Sequence, residues 1–399
     1  MTFTLNTIMK TFTLILFSAF FTLIAYSQIG TGVRNNNSFI HSGVTRSYNV
    51  YKPNSYTVNT KVPLVIVLHP GVIQEGDTMN VQMERYTHFD LIADTANFLI
   101  AYPNSRKDVN GIDPDWAIWD YSNSRGWNDV SFINTMMDKI IQDYNVDTCK
   151  IYITGFSMGG YLSYSMACES GSRLAAIAPV SGHKDHSYNC SPSNAVPVFH
   201  IHGDLDVDAA YYGNLSQDLD SVATVLRIWY NYNNCNSTPV ISQLPNTSTA
   251  DNTTITKYYY APLSSDKEVI HYKVNGGGHA WPGALFSHPS EVGWNNMDVD
   301  ASVDIWTFFR KHKLCTTTTG VEELAINDFK IFPNPTTQIV SIESNISIIK
   351  INFFTMDGKL LLRTNNTKSI DVSSFPSGLI IIEIYGENGE VLHSKLLKQ

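Results

Sequence analysis

The feature that most restricts the fold of this chain is a repeated pairing. Short unbroken apolar runs alternate with stretches of helical periodicity. Pro63-Leu64-Val65-Ile66-Val67-Leu68-His69 is closed by Pro70-Gly71, and Phe98–Tyr102, Lys150–Thr154, Ala175–Val180 and Pro197–His202 have the same character. A half-buried strand alternates apolar and polar residues; a continuous run of this length reads as a strand covered on both faces. Between the runs, Ile133, Met136, Met137, Ile140, Ile141 and Tyr144 recur at three and four, with Asp129 available as N-cap. A second helical period runs from Leu215 to Tyr230. A third, over Val303, Trp306 and Phe309, ends at Lys311-His312-Lys313, where positive charge suits a helix C-terminus. Buried strands alternating with amphipathic helices predict an α/β fold, a mostly parallel central sheet with helices on both faces.

The chain changes character at both ends. Lys10 precedes an apolar stretch, Thr11–Ala25, and Ala25-Tyr26-Ser27 places small residues at −3 and −1 of a cut before Gln28. Residues 1–27 therefore read as a secretory signal peptide. No later stretch reaches the ~18 uninterrupted apolar residues of a membrane span. Residues 28–314 form the expected catalytic domain, and the Thr-rich segment 315–328 reads as a linker. Residues 329–399 hold only short β-rich segments, separated by the hairpin signals Asp357-Gly358 and Asn388-Gly389, which predicts a small β-sandwich. The expected product is secreted or held at the cell surface.

Composition narrows the partners. The formal net charge is −9 and only 16% of the 399 residues are charged, with no basic run, so a nucleic-acid partner is not expected. No Gly-rich dinucleotide or phosphate loop is present, and no cofactor is expected. Export makes disulfides plausible for the five cysteines, Cys149, Cys168, Cys190, Cys235 and Cys315. The odd number leaves at least one unpaired within the chain, and spacing does not choose among the pairings. His200 and His202 share one face of a strand as a metal pair would, but a third ligand at sensible spacing is lacking, so no metal is expected.

The chemistry converges on Gly155-Phe156-Ser157-Met158-Gly159. This G-x-S-x-G pattern follows a buried strand and precedes a helical run, Tyr161–Ala167, the setting of a nucleophile elbow. The glycines relieve clashes in a strained turn. In such folds the order along the chain is nucleophile, acid, histidine. His202-Gly203-Asp204-Leu205-Asp206 follows the next buried strand and offers the acid. His279 lies in Gly276-Gly277-Gly278-His279-Ala280-Trp281-Pro282, ahead of the last helix.

These segments together resemble the polyhydroxybutyrate depolymerase/feruloyl esterase-type α/β-hydrolases, over roughly 45–313. The most specific part is Gly277-Gly278-His279-Ala280-Trp281-Pro282-Gly283. The resemblance implies an extracellular carboxylic ester hydrolase with Ser157 as nucleophile, Asp206 as acid and His279 as base. Two departures bear on the site. Pro70 has no N–H, so the oxyanion donor that partners Met158 must come from Gly71 or Val72. Asp204 and Asp208 compete with Asp206 for the acid. Trp281, two residues past His279, is expected to border the substrate, and the loop tryptophans Trp116, Trp119 and Trp127 either fill the core or border the cleft. Ile331-Phe332-Pro333-Asn334-Pro335-Thr336-Thr337 and the strands beyond are similar to type IX secretion sorting domains, which implies the secretion machinery as a partner. The expected substrates are feruloyl or acetyl esters of polysaccharide, or polyhydroxyalkanoate-type polyesters. A serine peptidase and a non-catalytic binding protein on the same fold are the rival readings.

Overall fold

The structure, a computed structural model, describes residues 30–71, 79–107, 114–117, 127–192, 194–284, 292–315, 329–344, 347–355, 359–365, 367–386 and 391–399. Residues 1–27, read above as a signal peptide, residues 316–328 of the segment read as a linker, Val72, Trp119, Asp357-Gly358 and Asn388-Gly389 lie outside the described residues. The chain divides into two compact units after Cys315.

The first unit is built on a ten-stranded sheet. In chain order its strands are β1 (Val33–His41), β2 (Val44–Lys52), β3 (Val62–Leu68), β4 (Leu99–Pro103), β7 (Val146–Phe156), β8 (Ala176–Val180), β9 (Val198–Gly203), β10 (Val240–Gln243), β11 (Thr254–Tyr260) and β12 (Val269–Asn275); the ribbon β5 (Arg106–Lys107) and β6 (Pro114–Asp115) stands apart. The spatial order is β1-β2-β4-β3-β7-β8-β9-β12-β11-β10. The middle of the sheet, from β4 to β12, is parallel. Antiparallel strands extend it at both edges.

The two faces of β3 explain its unbroken apolar run. Leu64, Ile66 and Leu68 point into one core layer, and Val65 and Val67 into the other. β7 divides in the same way, with Ile151 and Ile153 on one side and Tyr152 and Phe156 on the other. Six helices accompany the sheet among the described residues: α1 (Met79–Thr87), α2 (Phe89–Ala96), α3 (Asp129–Asp143), α4 (Met158–Ser170), α5 (Val222–Tyr232) and α6 (Ala301–Phe309).

Two local expectations need correction, and one strand was not foreseen. Asn128, not Asp129, caps α3, accepting from Ser131 N at 2.8 Å. Asp129 is fully buried instead. One carboxylate oxygen takes Arg46 Nη2 at 2.6 Å and the other takes Ala117 N at 2.6 Å. The helical period from Leu215 is broken: a 3-10 turn, Leu215–Gln217, ends at left-handed Asp218, and the helix restarts behind Ser221, whose hydroxyl caps Thr224 N. The polar segment after Gly30 is the edge strand β1, held against β2 over its whole length. The disulfides left open by spacing are Cys149–Cys315 and Cys168–Cys190, and Cys235 is a buried free thiol.

The second unit is antiparallel. A three-stranded sheet orders β13 (Phe329–Phe332), β14 (Ile339–Ser344) and β17 (Ile370–Asp371), and a four-stranded sheet orders β16 (Leu360–Thr364), β15 (Ile348–Phe354), β18 (Gly378–Gly386) and β19 (Val391–Lys398). Val340, Ile342 and Ile370 from the first share a core with Ile351, Phe353, Ile380, Ile382 and Ile384 from the second.

Candidate active site

The elbow sits where β7 turns into α4. Ser157 has φ 53° and ψ −121°, a backbone conformation that L-residues rarely adopt and that costs on the order of 1–3 kcal/mol. The surrounding hydrogen bonds hold it there. Ser157 N donates to Val180 O at 3.0 Å, and its carbonyl accepts from Gly160 N at 2.7 Å and Tyr161 N at 3.1 Å. Small residues are required because the turn rides directly on the end of β3. A Cβ on Gly159 would stand 2.3 Å from Leu68 O and 2.8 Å from His69 O. Met158 is the first residue of α4, so its N–H is among the donors that a helix leaves without an internal acceptor.

His279 arrives from the loop after β12. Its backbone is pinned by a two-way bridge to Val292, at 2.6 and 3.0 Å, and its ring lies 4.9 Å from that of Phe156. The imidazole is thus set beside the residue that precedes Ser157. Its Nδ1 is 2.7 Å from Asp206 Oδ2. Of the three competing carboxylates, only Asp206 makes this contact among the described residues. Asp204 turns the other way, accepting from Gly276 N at 2.7 Å and pairing with Lys273 at 3.0 Å. Asp208 contributes its backbone N–H to Asp206 Oδ1 at 3.0 Å.

Asp206 is almost fully buried, yet it stays ionised. Burial alone would raise its pKa; hydrogen bonds from His202 and His279 more than offset this and hold the carboxyl well below the usual carboxylate range. Its Oδ1 also receives Ala209 N at 2.8 Å. The approach of the two loops depends on Gly203, where a Cβ would meet Gly278 O at 2.3 Å and Gly277 O at 2.4 Å.

The end of β3 forms the other wall. Gly71 is half-buried and follows Pro70, whose carbonyl is 2.6 Å from His69 Nδ1. His69 Nε2 accepts from Ser105 N at 3.0 Å, which leaves the ring proton on Nδ1 to donate to Pro70 O. Trp116 Nε1 donates to His69 O at 2.8 Å. The segment carrying Gly71 is therefore braced from behind.

Trp281 has an environment that the sequence did not indicate, and Trp116 and Trp127 take the core alternative. Trp281 is only 1% exposed; its ring packs with Tyr86 and Phe89, and Nε1 donates to Ser302 Oγ at 3.1 Å. In place of an open platform it forms part of the core under the His279 loop. Trp116 and Trp127 are buried as well. Among the described residues, an exposed tryptophan next to the His279 loop is Trp294, 55% exposed, whose carbonyl accepts Gly278 N at 2.9 Å. Leu205 and Val207, either side of Asp206, are also largely exposed. A lone Trp in a Gly/Asn-rich loop carries no periodicity, so nothing in the sequence marked Trp294. His200 and His202 do share a face of β9, with rings 5.2 Å apart, and are engaged with Tyr164, Ala209 and each other.

Residues 46–210 match the family described as esterase PHB depolymerase, a stretch that includes Ser157 and Asp206 and stops short of His279. Residues 330–399 match the secretion system C-terminal sorting domain. Among curated proteins, the bifunctional acetylxylan esterase/xylanase XynS20E of Neocallimastix patriciarum is 29% identical over 240 residues, 60% of this chain and 31% of that protein. The putative esterase NocK of Nocardia uniformis subsp. tsuyamanensis is 25% identical over 66% of this chain and 79% of its own length. Feruloyl esterase D of Neurospora crassa is 28% identical over 45% of this chain and 62% of its own. The match thus spans about a third of the first of these relatives.

Proposed function

With an esterase PHB depolymerase domain at 46–210 and a secretion-system sorting domain at 330–399, we propose that this protein is a secreted carboxylic ester hydrolase working through an acyl-enzyme on Ser157. The observation that carries the mechanism is the 2.7 Å contact between Asp206 Oδ2 and His279 Nδ1, set beside the strained elbow. Asp206 accepts from Nδ1–H, which leaves Nε2 as the base. His279 takes the Ser157 proton as Oγ attacks the ester carbonyl, and Asp206 stabilises the imidazolium that forms. The tetrahedral oxyanion is held by Met158 N–H and a second N–H at Gly71, one such donor being worth about 3–4 kcal/mol. Collapse expels the alcohol, protonated by His279, and water then attacks the acyl-enzyme by the same route.

The relatives and the rim support a reading of the substrate class. The acetylxylan and feruloyl esterases among the relatives support ester groups on plant polysaccharide. Trp294 supplies the exposed ring that a sugar or aryl acid could stack on, a part in which the buried Trp281 does not serve. The sorting domain supports delivery to the cell surface or beyond, with residues 1–27 removed as a signal peptide.

The test is a fluorophosphonate label together with a panel of aryl esters and aryl amides. Labelling and ester turnover that both vanish in Ser157→Ala are expected. More than about a hundredth of wild-type activity left in that variant would refute the nucleophile. Turnover of the amides at rates matching the esters would favour the peptidase, and no turnover at all the binding protein.

A further inference from the structure

His200 and His202 have no part in the acyl-enzyme steps, yet both are completely buried behind the acid. Their contacts form a line. Tyr164 Oη is 2.8 Å from His200 Nδ1, His200 Nε2 is 3.1 Å from His202 Nδ1, and His202 Nε2 is 2.7 Å from Ala209 O and 3.1 Å from Asp206 Oδ2. Chemistry gives this line one direction. A backbone carbonyl only accepts, so the proton of His202 sits on Nε2. Its Nδ1 is then a lone pair and needs a donor, which is His200 Nε2–H. That leaves His200 Nδ1 to accept the Tyr164 hydroxyl. Tyr164 lies on α4, the helix that follows Ser157.

We propose that His202 is a positioning residue for the acid of the triad, with His200 and Tyr164 fixing its tautomer. It acts on Asp206 twice. It meets Oδ2 directly, on the oxygen that also takes His279 Nδ1. It also holds the carbonyl of Ala209, whose N–H donates to Oδ1 at 2.8 Å. The inference rests on the triad reading above.

A residue that merely filled space would affect stability without touching the pH profile of the reaction. Without His202, Asp206 loses a donor and becomes more basic, so it binds the imidazolium of its partner more strongly. The acid limb of kcat/KM then moves up. The groups that face the His202 ring are His200, His183, Tyr211 and Asp206; His271 and Lys273 lie behind His200 and Tyr211, and Asp220 lies near His183. Burial first of all pushes His183 down to about 4 and His271 down to about 3, and His200 well below its ordinary value. These three stay neutral across the limb.

The experiment compares His202→Leu, which has no donor, with His202→Gln, whose amide nitrogen can replace Nε2–H. The substrate is 4-nitrophenyl acetate, with kcat and KM followed from pH 5 to 9. His202→Leu is expected to lose on the order of 10²-fold in kcat with little change in KM. Its acid limb is expected to rise. His202→Gln should recover most of both. A limb that stays or falls in His202→Leu, or equal losses in the two variants, would overturn the proposal. If His202→Leu does not fold, Tyr164→Phe carries the test, with a smaller loss of kcat and the same upward shift expected; a wild-type profile there would overturn it. Ser157→Ala, assayed in parallel, keeps the two readings apart. Activity surviving in Ser157→Ala defeats the acyl-enzyme itself. Activity lost there, with a wild-type profile in the His202 variant, defeats only the positioning role.

Discussion

Replacing Gly159 by alanine tests how the elbow and the oxyanion wall are held together. The added Cβ would lie 2.3 Å from Leu68 O, 2.7 Å from Leu68 C and 2.8 Å from His69 O, all backbone atoms. A relaxed contact needs roughly 1 Å more. No flexible side chain can yield. α4 is tied down by the Ser157 and Gly160 hydrogen bonds, and by Ser163 Oγ on Gly159 O at 2.8 Å. The end of β3 must therefore shift against His69, itself clamped by Ser105 and Trp116. Overpacking of this kind costs about 1–3 kcal/mol. For a unit of this size that lowers Tm by several degrees, at about 2–4 °C per kcal/mol. Catalysis should suffer more, because Ser157 and the donor at Gly71 are forced apart, and a misplacement of about 1 Å costs on the order of 10²-fold. The assay pairs kcat on an aryl acetate with thermal unfolding. Gly43→Ala is the control: Gly43, unlike Gly159, is left-handed, φ 77°, and has no atoms within 4 Å of its Cβ position, so its loss should be in Tm alone. A Gly159→Ala enzyme with kcat within about threefold of wild type would refute the argument that this close approach sets the geometry.

Three further outcomes are expected. Asp206→Asn should lower kcat by about 10⁴-fold, because an amide favours the wrong tautomer of His279, whereas Asp204→Asn and Asp208→Asn should stay within about tenfold; a lethal Asp204→Asn would reverse the assignment. His271 is kept neutral by burial, its pKa pushed down to about 3. The unfolded chain therefore takes up a proton near pH 6.5 that the folded one does not bind, and stability is lost as the pH falls through that value. Between pH 7.5 and 5 the loss from this group is about 2 kcal/mol, so wild type should lose that much more than His271→Gln in urea titrations; parallel losses would refute it. Ending the chain after Cys315 keeps the Cys149–Cys315 bridge and removes a unit with its own core. Turnover of small esters should be unchanged and delivery to the surface lost, and a truncated enzyme that unfolds or still reaches the surface would contradict a separable sorting domain.

The run from Pro63 to His69 could be read as a doubly covered strand because burial on both faces leaves its mark within seven consecutive residues. The elbow was legible for the same local reason: strand, small-residue turn and helix adjoin in the chain, and the clash that demands Gly155, whose Cβ would stand 2.5 Å from Gly159 C and O, arises from the turn itself, whereas the one at Gly159 comes from the distant end of β3. The antiparallel edges were not legible. β1 exposes much of its surface, and every residue of β10 is exposed, so neither carries the apolar pattern that marks a strand; each is a strand because a neighbour supplies its hydrogen bonds. The choice of Asp206 over Asp204 and Asp208 could not be made locally either, since it depends on His279, 73 residues away. Trp281 shows the limit in reverse. Its position two residues past the base suggested the substrate, and packing against Tyr86 and Phe89, about 190 residues earlier, turned the ring inward. Periodicity and turn chemistry are properties of neighbours along the chain, so the sequence determined the central strands and the strand–turn–helix elbow. Which polar groups meet, and which rings remain in water, depends on contacts between distant segments, and those only tertiary packing decides.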